Sequence, residues 1–344
     1  MSTAPPTTIS PKTMPAYLDD PYNIGTVFRD RQNPLAYPDD ILHEMYKFSS
    51  EGIHYLCQLL GPEVSNSTRR SNALTIEHTV CLALRYFASG QFMYSIGDTE
   101  HLSKNNVCRA VRKVVLAQSK LLDAFVVFPG HLSALRNKEG FHAIAGFPRV
   151  LGIIDCTHIP ISAPLGEHEG DYVNRKSIHS INVQMTCDHQ LMVTSLDARW
   201  PGSVHDSRIF RESILSQRFE EGKGMLLGDR GYPCLKHLVT PYPDPLTRLQ
   251  IQFNAAHSLT RVRIEMTFGI GKARFTCLKG LRVRPERACQ VVSACVVLHN
   301  IATIKKEKTP TPLPMPPDIV DPVTLDHPTG CAVRDAITNQ CFTH

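Results

Sequence analysis

Two short apolar runs each end in an aspartate, and together they constrain the fold more than any other feature. LGIID (151–155) lies within PRVLGIIDCTHIPI, and MLLGD (225–229) lies within GMLLGDRGYP. Such runs, lacking polar alternation, read as strands buried by helices. In the second, Gly231-Tyr232-Pro233 breaks the chain just past the acid. Open α/β sheets bind ligands in the loops beyond strand ends. Asp155 and Asp229 are therefore candidates for one site if their strands are neighbours. For either aspartate alone, a turn or cap is the simpler role.

The surrounding pattern extends the sheet. HSINVQMTCD and LMVTSLDAR read as two more strands, joined at His189-Gln190 as a hairpin. A helix follows from about 203 to 221, LVTPY is a candidate fifth strand, and helices span about 257–275 and 286–304. The expected class is α/β, a mixed sheet flanked by helices.

Residues 39–135 read as helical. Ile41, Leu42, Met45 and Phe48 recur at helical spacing. A second helix, capped by Ser50, carries Ile53, Leu56, Leu59 and Leu60 up to Gly61-Pro62, and a third runs from Thr75 to near Gly90. In QFMYSIGDTEHLSKNNVCRAVRKVV a short helix, a turn and a longer helix capped by Ser103 give the outline of a helix-turn-helix. The last helix has an apolar side of Val107, Ala110, Val111 and Val114. Asn105, Arg109, Arg112 and Lys113 share the other side. Amide and guanidinium groups are those that read base edges and phosphates, so these four are candidate DNA contacts. A solvated helix face is the alternative.

A hydrophobic share of 42%, a charged share of 20% and a net charge of +5 over 344 residues fit a soluble globular chain. The mild positive charge permits a polyanionic partner without requiring one. No run approaches the ~20 apolar residues of a membrane span, and MSTAPPTTISPKTMP has no apolar signal core. The eleven cysteines form no CxxC pair, which reads as a reduced intracellular chain using thiols as small core residues. Cys295 and His299 are four apart on a helix, a spacing that suits one metal, but no second pair accompanies them.

Two further acids matter. Glu265 sits mid-helix between Ile264 and Met266, one turn from Arg261, with which it can also simply pair. Asp206, in WPGSVHDSRIF, starts a helix and is a good cap. Phosphodiester cleavage drives a nucleophile onto an anion. Two divalent ions about 4 Å apart activate the attacking oxygen and stabilise the leaving one. Mg²⁺ and Mn²⁺ take oxygen ligands, and clustered carboxylates make physical sense mainly with cations present. Eight Lys and Arg between Arg261 and Arg287, Lys272 and Arg274 among them, face only Glu265 and Glu286, an excess suited to a DNA backbone. Arg175 and Lys176, after Asn174, could also meet phosphate. His158 and His205 beside the acids are expected to make structural hydrogen bonds.

The words IIDCTHIPI, YVNRKSIHSINVQMTCD, WPGSVHDSRIF, LLGDRGYP, IEMTFGIGKARFTCL and VVLHNIA, in that order over about 145–303, resemble the PIF/Harbinger transposases and their domesticated nucleases. That resemblance implies an RNase H-like DDE fold with catalytic Asp155, Asp229 and Glu265, and Asp206 as an additional metal ligand. It implies two Mg²⁺ or Mn²⁺ ions, a DNA substrate and a Myb-like DNA-binding partner protein, and leaves a homo-oligomer open. It places the chain in the nucleus with some in the cytoplasm, as a nuclease without autonomous transposition. A catalytically silent DNA- or protein-binding module is the competing reading. The expected organisation is a flexible 1–38, a helical, helix-turn-helix-like DNA-binding domain at 39–140, a nuclease domain at 141–304 and a Pro-rich flexible tail at 305–344.

Overall fold

The computed structural model describes residues 32–66, 73–219, 224–312 and 326–342. Most of the expected flexible N-terminus and part of the tail lie outside them. The described residues from Asn33 onward form one compact unit.

The first helices are α1 (Asp39–Tyr46), α2 (Ser50–Val64), α3 (Ile76–Ser89), α4 (Met93–Thr99), α5 (Lys104–Ser119), α6 (Leu122–Phe125) and α7 (Ala134–Ala145). Side chains one residue outside the helices make several starts. Thr75 accepts from the His78 amide and Ser103 from that of Asn106. Ser49, not Ser50, caps α2 by accepting from Gly52. Helix α3 ends on Gly90 at φ 63°, where a side chain would be strained. Val107, Ala110, Val111 and Val114 of α5 are buried as their spacing demands.

The sheet order is β3 (Val193–Pro201), β2 (Ser180–Cys187), β1 (Val150–Pro160), β4 (Met225–Leu227), β5 (Leu238–Val239). Strands β1, β2 and β3 are antiparallel neighbours, while β1, β4 and β5 run parallel. The β2–β3 turn is built by Asp188, whose Oδ1 accepts from the Gln190 and Met192 amides. Between β3 and β4 lie α8 (Asp206–Arg211) and α9 (Ile214–Phe219). The single helix expected over 203–221 is thus two. Ser213 stops the first and accepts from the Ser216 amide at the start of the second.

Behind the sheet run α10 (Arg248–Arg274) and α11 (Pro285–Ile304). Helix α10 begins nine residues earlier than its apolar pattern suggests, because Thr247 and Gln250 form a capping box. Helix α11 is long and apolar enough to cross a bilayer by composition, yet it lies mostly buried in the core. One side of the sheet joins Ile153, Ile159, Ile181 and Val183 to Ile264, Phe268, Val292 and the α3 and α5 residues Phe87 and Val114 in a single core. The other side packs Leu151, Ile154 and Cys156 against Ile209, Phe210, Phe219 and Tyr232. Strand β1 is therefore covered on both faces, as its unbroken apolar run requires.

The tail corrects one expectation. Over 328–341 it is not flexible but forms α12 (Pro328–Cys341), docked beside α10 and β5. Tyr242 Oη donates to Asp335 Oδ1 at 2.6 Å and the Arg334 guanidinium lies 4.4 Å over the Tyr242 ring.

Candidate active site

Strand pairing between β1 and β4 stops at Ile153 and Leu227. Two residues beyond on each strand stand Asp155 and Asp229. Because β4 is short while β1 continues to Pro160, the edge of β1 beside Asp155 opens past the end of β4. Alternation puts Asp155 on the α10 side with Ile153. The Asp155 Oδ1 accepts from the Cys156 amide at 2.8 Å. Asp229, 8% exposed, holds its turn by accepting from the Gly231 amide at 2.9 Å.

Gly228 owes its identity to packing. A Cβ there would lie 3.0 Å from Leu238 Cδ1 and 3.1 Å from Tyr232 Cδ2. Tyr232 is the wedge that turns the chain. It is fully buried, edge-on to Phe210, with its hydroxyl 3.3 Å from Cys156 Sγ.

Asp206 arrives from the opposite side of the sheet, in the first turn of α8. Asn182 on β2 fixes it, donating from Nδ2 to Asp206 Oδ1 at 2.8 Å and to the Val204 carbonyl at 3.0 Å. Burial raises the pKa of Asp206, Asn182 opposes the rise, and the charge of Asp229 adds to it. Burial likewise raises Asp155. Arg261 works against that shift, and Asp229 and Asp206 work with it. The net direction for Asp155 is upward, since burial and two neighbouring carboxylates outweigh one guanidinium. Asp229 and Asp206 thus act electrostatically on Asp155, and Asp229 on Asp206.

Glu265 reaches the cluster through Arg261. The Arg261 Nη1 donates to Asp155 Oδ2 at 2.6 Å, and Nη2 donates to Glu265 Oε1 at 2.5 Å. Burial works against the Arg261 charge, but Asp155, Asp229 and Glu265 hold its pKa above the ordinary value. The Glu265 side chain remains 46% exposed. The contact the structure shows is the ion pair with Arg261 one turn earlier, and Glu265 is linked to Asp155 through that guanidinium.

The donor set suits a hard divalent cation in kind, being carboxylate oxygens whose burial calls for a cation. Among the described residues no group of three is arranged as a ready metal cage. The Arg261 guanidinium stands between two of the four acids. Cys295 and His299 are not a second centre. His299 Nε2 pairs with the Leu191 carbonyl, and Cys295 lies 3.9 Å from the Cys277 sulfur.

The basic candidates separate. Asn105, Arg109 and Arg112 are exposed on α5. Lys113 is half-buried and donates to Asn66 Oδ1 at 2.8 Å, tying α5 to the end of α2. Lys272 turns inward, donating to Thr157 Oγ1 at 2.7 Å on β1. Arg274 is corrected outright. It is 2% exposed, and burial lowers its pKa to about 10, so it cannot meet a DNA backbone. Of the eight basic residues in that stretch, Lys279, Arg282, Arg284 and Arg287 face solvent. Arg175 and Lys176 are exposed on a turn held by Asn174. His158 bonds Ser180 and His205 caps α8, both structural as expected.

Sequence reasoning missed Asn182, a buried strand amide that no periodicity announces. It also missed a pair of exposed aromatics at the start of α4. Phe92, 60% exposed, carries the Arg282 guanidinium 4.0 Å above its ring, and Tyr94, 62% exposed, carries Lys104 Nζ at 4.7 Å.

A mixed sheet with two aspartates just past neighbouring strand ends, and a glutamate on the helix behind, is the arrangement that a DDE resemblance implies. Residues 154–300 match the family described as DDE superfamily endonuclease. The chain is 38% identical to human "Putative nuclease HARBI1" over 272 residues, 77% of this chain and 78% of that protein. It is 35% identical to the Xenopus laevis protein of the same name over 77% and 78%. To "Protein ALP1-like" of Arabidopsis thaliana it is 26% identical over 77% and 71%. No solved structure gives a significant match. The chain belongs to the Harbinger transposase-derived nucleases of the DDE superfamily.

Proposed function

We propose that this chain is a divalent-metal-dependent DNA endonuclease on an RNase H-like fold, hydrolysing phosphodiester bonds without autonomous transposition. What supports the reading is that Asp155 and Asp229 stand two residues past the last β1–β4 pair, that Asp206 acts on Asp155 electrostatically, and that Glu265 is joined to Asp155 through Arg261. A cluster of like charges withdrawn from water is costly, and such arrangements mark functional sites. Asp155, Asp206, Asp229 and Glu265 would hold Mg²⁺ or Mn²⁺. The ions, two in this chemistry, would supply an activated water and charge stabilisation at the leaving oxygen. The chain's own part is rigid placement. Strand β1 fixes Asp155, the Gly231 amide orients Asp229, and Asn182 orients Asp206.

In this reading residues 39–140 present the DNA-contacting surface and 141–304 the chemistry, although both share one core. Asn105, Arg109 and Arg112 supply phosphate and base-edge contacts from α5. Phe92 and Tyr94 with their stacked cations, and Arg282 and Arg284, add a basic and aromatic flank suited to nucleic acid. Lys113 and Lys272 contribute positive field rather than direct contact. A Myb-like partner, a homo-oligomer, and a nuclear location with some cytoplasmic protein remain part of the proposal through the family.

One observation favours the competing reading of a silent binding module: Arg261 occupies the ground between Asp155 and Glu265. Nicking of supercoiled plasmid in Mg²⁺ or Mn²⁺ separates the two. The enzyme reading expects nicking by wild type and none by Asp229→Ala. Equal rates from both proteins would leave the silent module.

A further inference from the structure

We propose that Arg261 is the built-in counterion of the acid cluster and that its release couples DNA arrival to metal loading. The proposal rests on the metal-dependent reading above and assigns a positioning role that the four acids alone do not explain.

The geometry is a competition for oxygens. The two terminal nitrogens of Arg261 are spent on Asp155 Oδ2 and Glu265 Oε1, one carboxylate from the strand and one from the next turn of its own helix. A divalent ion held by both Asp155 and Glu265 would compete with the guanidinium that now bonds one oxygen of each. Arginine cannot resolve the conflict by losing its proton. It has to move. Its side chain retains 21% exposure and Glu265 retains 46%, against 13% for Asp155, so the pair reaches solvent on the outer side of Asp155. The departing guanidinium then needs another anion with two oxygens at fork spacing. A DNA phosphate is that anion, and bidentate Arg–phosphate pairing matches the Arg–carboxylate pairing it replaces. DNA bound at the site thus frees Asp155 and Glu265 for metal, and metal frees Arg261 for DNA. By linkage the two effects are equal in size.

The test is Mn²⁺ binding, not turnover. The full chain is titrated with Mn²⁺, free ion being read by electron paramagnetic resonance. Titrations run with and without a mixed-sequence duplex oligonucleotide, and ion bound by the duplex alone is subtracted. For wild type the expected result is tighter Mn²⁺ binding with duplex, by about tenfold, within the usual range of coupling. Arg261→Gln is expected to bind Mn²⁺ without DNA about as tightly as wild type does with it, and to show no further gain from duplex. Arg261→Lys keeps the charge but loses the planar fork. Its coupling should fall between the two, and it carries the test if the Gln variant does not fold. Wild-type affinity indifferent to duplex, or variants with wild-type coupling, would overturn the proposal and leave Arg261 a structural ion pair. Absence of saturable Mn²⁺ binding in wild type and variants alike would instead overturn the metal-dependent reading, and this proposal with it.

Discussion

The acid cluster at the sheet end and the basic face of α5 carry opposite charges in opposite surroundings. Asp155 and Asp206 are partly buried and Asp229 is buried, and burial and the neighbouring carboxylates raise Asp155 and Asp206. Asn105, Arg109 and Arg112 stand in solvent, each on the far side of α5 from Val107, Ala110 and Val114. Packing explains the α5 face without any ligand, since an amphipathic helix must turn some residues outward. Packing does not explain the acids. Neighbouring carboxylates withdrawn from water work against stability, which is the physical ground for reading them as a functional site. The two regions therefore differ in what packing alone accounts for, although residue pattern nominated both, the acids by their place at strand ends and the α5 residues by their shared helix face.

The sharpest way to break that contrast is activity. Asp155→Asn should lower metal-dependent nicking by at least about a hundredfold at saturating DNA. Arg109→Ala with Arg112→Ala should leave that saturated rate near wild type. Comparable losses in both would mean that α5 belongs to the chemistry.

Acid comes next in size. Burial lowers His257 and His299 to about 4, and both lie in the layer of α10 and α11 behind the site. They are neutral in the fold, while the unfolded chain takes up protons from about pH 6.5 downward. Stability is thus fully present above that pH and is lost as pH falls towards 4. The loss is on the order of 3 kcal/mol per histidine. A melting-temperature series from pH 7.5 to about pH 4.5 should show the fall, and His299→Gln should flatten it.

Smaller effects probe α5 itself. Ser103→Ala removes the cap of α5 and should cost about 1 kcal/mol in chemical unfolding. Arg109→Ala and Arg112→Ala should leave stability within about 0.5 kcal/mol. Each should reduce the salt dependence of DNA binding by about one unit of slope. An unchanged salt slope would return α5 to the status of a solvated face.

How much of this was legible follows from the kind of signal each residue leaves. Asp155 and Asp229 stand out because a both-faces-buried strand has to be continuously apolar, so an acid at its end is conspicuous. Glu265 came through its family word, since a mid-helix acid near an arginine is ordinary. Asn182 was not legible, because nothing local distinguishes a strand amide that holds an acid from one that fills space. Arg274 misled for a related reason. Charge at a helix end implies solvent, but α10 ends against the chain near Lys308, whose carbonyl Arg274 contacts at 3.4 Å. Helix α12 was hidden behind the proline-rich stretch, and its docking depends on Tyr242 some ninety residues away. The split of α8 from α9 turned on one serine that competes for backbone hydrogen bonds.

The most direct trial of the central claim is a paired measurement on Asp229→Asn. Asparagine keeps the shape and can still accept from the Gly231 amide, but it removes the carboxylate charge that acts most on Asp155 and Asp206. The account predicts a melting temperature equal to or above wild type in the absence of metal, together with loss of metal-dependent plasmid nicking by at least about a hundredfold. Nicking retained at the wild-type rate, or lost only in step with the fold, would contradict it.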